Sequence, residues 1–535
     1  MSATGATQEQ AGHQPVFLRN TSGLVKSATG LDAFIFNVSV MSIGMGLLSV
    51  HLVVPAFNPG ANIPLSWLIA TVVLVPIALA YYYWSVTLPR TGGNYIYLSR
   101  SMPLSIAVVL NFIELYTLLF FLAFAASFVA PVISGLLWYL GAHAGNDGLQ
   151  QLATDLTSKG WIFVLGVLGC AVALAVQLRG TASFFRLQRV LFVVAMVTTL
   201  IMLIALLLGS KEDFARNFSS LTGVSMAEVA KTATDGGFAT ADFDLWATIK
   251  AIIWPVITMW AFFFSISFGG EIKAVKKGQF LGIVGSCVAF GVLACLASAV
   301  VNSKIGVGEQ GALVWNSLLG TGPSTPTSPN TPTLAMIAVN SPVVAVLTGF
   351  GFFLWVFFWL TNIASYCGRA FFAHSIDRLA PSAVGHVTPK RRVPLGALLT
   401  AYAVALVFFA LFVFTDFFAA LAISMPLFFA FIGSLITGAM LFKTRPTLWQ
   451  RSPAAAYRLG KVPVMTIACV IGVVVLVGVE ILVYNDPSSL AKTRNSWIAI
   501  GAIVAVAIVA YLVASRLRRR EGVELSQLTR EIPVE

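Results

Sequence analysis

An all-α polytopic membrane protein with twelve transmembrane helices is the fold class predicted by three observations. The chain of 535 residues is 58% hydrophobic and only 10% charged, with a mean hydropathy of +0.87, whereas about a quarter of residues are charged in a globular domain. Apolar runs of about 20 residues recur from Leu31 to Ala514, each long enough to cross a hydrocarbon core of about 30 Å as a helix. Lys and Arg collect in alternate short connections. The net charge of +12 therefore reads as membrane orientation and not as a nucleic-acid footprint.

Taken in order, the expected spans run from Leu31 to Phe57, Pro64 to Val86, Pro103 to Leu140, Trp161 to Leu178, Phe184 to Gly209, Trp246 to Gly270 and Phe280 to Val301. They continue from Ser341 to Cys367, Pro394 to Thr415, Phe417 to Phe442, Val462 to Tyr484 and Trp497 to Ser515. Residues 1–28 and 516–535 are expected to be tails flanking a transmembrane domain over 29–515. The first 25 residues lack a charged segment followed by an apolar one and a small-residue cleavage site, so the first span is expected to do the targeting. All five cysteines fall inside apolar runs and read as small buried hydrophobes.

An even number of spans puts both termini on one side. The N-terminus and alternate connections hold 25 of the 33 Lys and Arg, from Arg19 and Lys26 to Arg516, Arg518, Arg519, Arg520 and Arg530. The positive-inside rule then makes both termini cytoplasmic and the protein a multi-pass protein of the plasma (inner) membrane. Two connections on the opposite face are long: Ser210 to Leu245, net acidic, and Asn302 to Asn340, which contains GTGPSTPTSPNT. Connections of such length are commonly lids or disordered covers.

Chemistry at membrane depth is expected where helices are interrupted. In VSVMSIGMGLLSV, Ser42, Gly44 and Gly46 sit in the middle of the first span, with Pro55 expected to end it. Glycine weakens a helix, and unwound backbone inside a membrane is tolerated only where it lines a cavity or meets a partner. A half-helix N-terminus there offers N–H donors and a positive dipole end to a carboxylate. Close helix contact through small residues is the competing explanation. The sixth span repeats the pattern: Pro255 precedes an aromatic cluster of Trp260, Phe262, Phe263 and Phe264, then Ser265, Ser267, Gly269 and Gly270. Interruptions in spans one and six point to five-plus-five inverted repeats, about 30–209 and 246–442, with helices 11 and 12 over about 462–515. A Pro-kinked helix with a packing stripe of phenylalanines is the alternative.

Ionisable groups within the bilayer are functional candidates. Glu114 lies eleven residues into the expected third span, roughly 16 Å deep at the 1.5 Å helical rise. It suits either a coupling proton, a cationic substrate, or a hydrogen bond to a neighbouring helix. Asp32, His51 and Glu480 lie near span ends and read as interfacial. Thr361 and Ser365, one turn apart on the eighth span, either ligate Na+ or bond back to helix carbonyls. No HExxH, GxSxG or Walker loop occurs, so neither an enzyme nor an ATP-driven pump is expected.

Four loop segments carry a family resemblance. LPRTGGNYIYLSR (Leu88 to Arg100) resembles the P-x-x-G-G-x-Y-x-Y-x-x-R signature of the amino acid-polyamine-organocation transporters. QLRGTASFFRLQ (Gln177 to Gln188) is similar to the N-x-R-G linker of that family, and GGEIKAVKK (Gly269 to Lys277) to its E-E-V-K-N-P-K segment. CGRAFFAHSIDRLAP (Cys367 to Pro381) is similar to its S-R-x(7)-D-x-L-P stretch.

The resemblance implies a leucine-transporter-like fold, with ten helices in two inverted repeats, broken helices 1 and 6, and two peripheral helices. It also implies alternating access by rocking of a bundle against a scaffold. Position by position, Ile43, Gly44, Met45 and Gly46, with Ser42 before them, would meet a substrate carboxylate. Met259, Trp260, Ala261, Phe262 and Phe263 would surround the amino group and side chain. Met45 departs from the small residue usual between those glycines, and Ala261 stands where the family often has glycine. Some relatives carry a lysine in the fifth helix; here VLFVVAMVTTL has Ala195 near that place, so lysine-mediated proton coupling is not expected.

The implied partner is a small molecule, first a neutral, fairly hydrophobic amino acid, with a polyamine or other organic cation as the alternative. A non-transporting sensor on the same fold is the rival class. No cofactor is expected, and Na+ or H+ is the candidate coupling ion.

Overall fold

The computed structural model describes residues 27–320, 322–415 and 426–528. The expected tails over 1–26 and 529–535, and the start of the tenth span over 416–425, lie outside the described residues. Within them, eleven helices are long and apolar enough to cross a membrane. A further apolar helix, Leu427–Thr444, stands where the tenth span is expected. The one sheet among the described residues is a two-residue hairpin pairing Arg458–Leu459 with Val462–Pro463. The chain is thus an all-α polytopic membrane protein.

Local chemistry explains the helix boundaries. The first span, Gly30–Phe57, starts at a capping box in which Thr29 Oγ accepts from the Asp32 N–H and the Asp32 carboxylate accepts from the Thr29 N–H. It consists of two helices, Gly30–Met41 and Ile43–Phe57, joined at Ser42, whose φ of 58° lies in the left-handed region that an L side chain seldom adopts. Ser42 caps the second half, its Oγ accepting from Met45 N–H at 3.2 Å. Pro55 lies inside that half and does not end it; its ring only removes one internal hydrogen bond this close to the helix end.

The sixth span, Leu245–Ser267, has two changes of course. Pro255 cannot donate to the preceding turn, and the helix steps at Ile252 between Leu245–Ala251 and Ile253–Met259. From Trp260 to Ser267 the backbone then tightens into a 3₁₀ helix, a geometry that is uncommon beyond 3–4 residues and often marks a hinge.

Some helices outrun the hydropathy pattern. The eighth continues to Ile376 and the twelfth runs from Arg494 to Arg520, because Arg and Ala remain good helix formers in water beyond the apolar stretch. The third extends as Leu104–Ser127 and Val129–Ala144 about a step at Phe128. The two long connections, expected as lids or disordered covers, contain helices in place of disorder among the described residues: Lys211–Thr222, Met226–Asp235, Val307–Leu319 and Thr331–Val339. They pack through buried Phe214, Phe218, Val229 and Leu313.

Hydrogen bonds sort the connections onto two faces. On the basic face Lys273 N–H donates to Ala28 O, Arg391 to Leu178 O and Arg518 to Arg378 O. On the opposite face Asp244 N–H donates to Gly60 O, Lys304 to Gly209 O and Asn217 to Ala338 O. The basic face is tied by two buried ion pairs and by a third whose arginine, Arg189, is 42% exposed. Arg100 clamps Asp377, Arg369 meets Glu271 at 2.9 Å, and Arg189 grips Asp32 with contacts of 2.6 and 2.8 Å. The Arg369 guanidinium also sits 3.4 Å over the Phe268 ring.

Candidate functional site

A small cavity of about 30 Å³ lies where the interrupted segments of spans one and six approach spans three and eight. Val40 contributes from the first span, Leu118 and Phe121 from the third, and Trp359 and Ile363 from the eighth. The sixth span supplies Ile257, Thr258, Trp260, Ala261 and Phe264. The volume holds about one water molecule. The walls carry no charged side chain, so this is a small, apolar compartment.

Two indoles of the cavity wall carry covered N–H groups, a state shared with Trp67, Trp254 and Trp449. Trp260 and Trp359 are 2% and 7% exposed, and the Nε1–H of each has no hydrogen-bond partner among the described residues. An orphaned buried donor costs about 1–3 kcal/mol, so a ligand bearing acceptor oxygens would recover that loss.

The backbone around the cavity is held by buried amides. Asn37, on the first span, donates through Nδ2 to Ser265 Oγ at 3.0 Å and Gly282 O at 2.6 Å. Its Oδ1 accepts from Ser265 N–H at 2.8 Å, and Phe262 O is a further acceptor for the same amide. One side chain thereby joins spans one, six and seven beside the 3₁₀ segment. Trp355 performs a similar service at the Ser42 break: its carbonyl accepts from Ser42 Oγ at 3.3 Å and its Nε1 donates to Thr199 Oγ at 2.9 Å. Neither Asn37 nor Trp355 was selected from the sequence, although an Asn inside an apolar run is a readable signal.

The structure brings part of the predicted set together. Trp260 and Ala261 line the cavity, and the change from α to 3₁₀ geometry falls between Met259 and Trp260. Met259 faces the second span, with Thr71 Oγ 3.8 Å from its sulfur. The Phe263 ring stacks on Tyr81 at 4.1 Å, and neither Phe262 nor Phe263 lines the cavity. Ser42 forms the break two residues beyond Val40. Ile43 and Met45 are buried without reaching the cavity. Gly44 and Gly46 serve close packing: a Cβ on Gly44 would come within 2.4–2.7 Å of the Trp355 side chain, and one on Gly46 within 3.1–3.3 Å of Trp67 and Thr258.

The coupling candidates are all buried. Glu114 accepts from Tyr366 O–H at 2.6 Å, Asn111 Nδ2 at 3.0 Å and Asn94 Nδ2 at 3.1 Å. It does not line the cavity, but Tyr366 stacks at 4.3 Å on Phe264, which does. Thr361 Oγ donates back to the carbonyls of Phe357 and Phe358, and Ser365 offers its carbonyl to Arg369.

Asp32 and His51, expected at the interface, are 1% and 2% exposed. Asp32 pairs with Arg189, while His51 Nδ1 donates to Gln310 Oε1 and Nε2 accepts from Ser298 O–H. Neighbouring helices cover both, which a hydropathy reading of one segment does not register. Glu480 likewise has both carboxylate oxygens buried.

Against known families, residues 29–510 match the sequence profile described as amino acid permease. A search of curated proteins returns no match.

Proposed function

From the premise that this chain belongs to the amino acid permease family of the APC superfamily, we propose that it carries a neutral, fairly hydrophobic amino acid across the plasma membrane by alternating access. The observation that carries this reading is the apolar cavity with two unpartnered indole N–H donors between spans one, three, six and eight. The Ile and Phe side chains suit an apolar substrate side chain, and the N–H groups suit carboxylate oxygens. A substrate needs far more than 30 Å³, so binding requires the 3₁₀ segment and the Ser42 break to shift outward. A residue in the left-handed region costs about 1–3 kcal/mol, which makes the break a place where two backbone arrangements can lie close in energy.

Both termini are cytoplasmic in this reading, with the basic face inside. Among the coupling candidates we assign the proton to Glu114. It is a carboxyl among neutral donors with no described cation in contact, and Tyr366 connects it to a cavity wall. A sodium ion at Thr361 and Ser365 is the competing assignment. A cationic substrate is the weaker reading, because Glu114 stands outside the cavity.

Uptake of labelled amino acids into proteoliposomes is the test. Saturable uptake of leucine-like substrates is expected, driven by a pH gradient and indifferent to Na+. Absence of uptake for every amino acid would refute the transport reading, and Na+-dependent uptake would move the coupling ion to the eighth span.

A further inference from the structure

A second cavity, of about 240 Å³, lies between spans three, eight, nine and twelve. Its walls include Val108, Phe112, Phe371, Val384 and Tyr511, with His374 and Thr400 as polar members. Both polar members are turned inward: His374 Nε2 donates to Asn111 Oδ1 at 2.8 Å, and Thr400 Oγ donates to Gly396 O at 2.8 Å. The crevice therefore offers mainly apolar surface, with room for about eight water-sized groups.

Its position is superficial and basic. Val108 is one turn into the third span, and Tyr511 lies nine residues before Arg520 at the end of the twelfth, so the crevice sits within about 15 Å of the basic end. Leu512, adjacent in sequence to the lining Tyr511, is 47% exposed, so span twelve presents apolar surface beside the crevice. At the rim, Arg518 Nε donates to Arg378 O at 3.0 Å while its Nη1 pairs with Glu521 at 2.8 Å, so Arg518 joins the end of span twelve to the loop that begins the crevice wall at Leu379 and leaves phosphate binding to its neighbours. Arg516, Arg519 and Arg520 are exposed beside it.

We propose that this crevice holds one acyl chain of an anionic phospholipid, with the headgroup phosphate held by the arginines at the end of span twelve. An apolar slot beneath a cationic rim complements such a lipid at both ends. The bound chain would cover His374, which reaches Glu114 through Asn111. The lipid site is thus two hydrogen bonds from the buried carboxyl.

Native mass spectrometry of the full-length protein in detergent with equimolar phosphatidylglycerol and phosphatidylcholine tests this without any transported substrate. One phosphatidylglycerol retained about tenfold over phosphatidylcholine, a 1.4 kcal/mol preference, is expected. Ala510→Phe fills the crevice and should abolish retention, whereas Val509→Phe, on the exposed neighbouring position, should leave it intact. Replacing Arg516, Arg519 and Arg520 by Gln should equalise the two lipids. Thr400→Leu serves in place of Ala510→Phe if that variant does not fold. Equal retention of both lipids by the wild type, or unchanged retention in the filled variant, would each overturn the proposal.

Discussion

At the scale of single residues, a few side chains hold backbone that the helix pattern alone would not. Gly44 is the sharpest case, because any Cβ there enters the Trp355 indole. Gly44→Ala is expected to cost about 1–3 kcal/mol by overpacking and to reduce uptake strongly, whereas Gly46→Ala, with looser neighbours, should cost less. Melting temperatures and initial uptake rates measured side by side check the order; equal effects would show that the contact is unimportant.

Glu114 makes a different prediction. Glu114→Gln keeps the shape but cannot take up a proton, so accumulation driven by a pH gradient should disappear while substrate counterflow persists. Loss of both would make Glu114 structural, as its three hydrogen bonds alone would suggest. Glu114 was legible in the sequence as a carboxyl in an apolar run. Asn111, three residues earlier on the same helix, was readable too, whereas Asn94 and Tyr366 come from other elements.

Among elements, the sixth span is the most informative. Pro255 removes one donor, and the chain responds with a step at Ile252 before tightening at Trp260. Pro255→Ala restores the donor and straightens the step; we expect a more stable helix by about 3 kcal/mol at most and slower transport. A variant that transports at the wild-type rate would remove the step from the mechanism. The sequence pointed to an interrupted helix here through Pro255 and the Ser and Gly pairs. It could not reveal that the interruption is a 3₁₀ segment, because that geometry depends on Asn37, more than two hundred residues away, taking up Ser265 N–H. The same holds for the long connections, whose helices form where buried phenylalanines find neighbours.

Over the whole molecule, the ion pairs of the basic face are the main electrostatic feature. Arg369 and Glu271 are 5% and 1% exposed, so Arg369→Met leaves a buried carboxylate without its partner at a cost of about 3–5 kcal/mol. The exposed Arg216–Asp213 pair should contribute far less, because water screens it. Thermal unfolding of Arg369→Met and Arg216→Met compares the two directly, and a small effect at Arg369 would show that water reaches Glu271. Orientation is a prediction at the same scale: single cysteines placed near Ala28 and Val523 should be modified only by reagents applied from the cytoplasmic side.

Composition, run length and the placement of Lys and Arg by themselves determined that this is a helical membrane protein, how many apolar spans it has and which connections share a face. Those properties depend on transfer of each segment between water and lipid, and each segment carries that information locally. Four short loop motifs identified the family for the same reason. Only the tertiary structure decided which side chains meet: that Trp260 reaches the cavity while Phe262 and Phe263 do not, that Asp32 and His51 are buried, and that Trp355 covers Gly44. Such outcomes depend on how helices rotate and pack against one another, and a stripe of Phe and Trp on one segment is equally apolar toward lipid, a neighbour or a substrate.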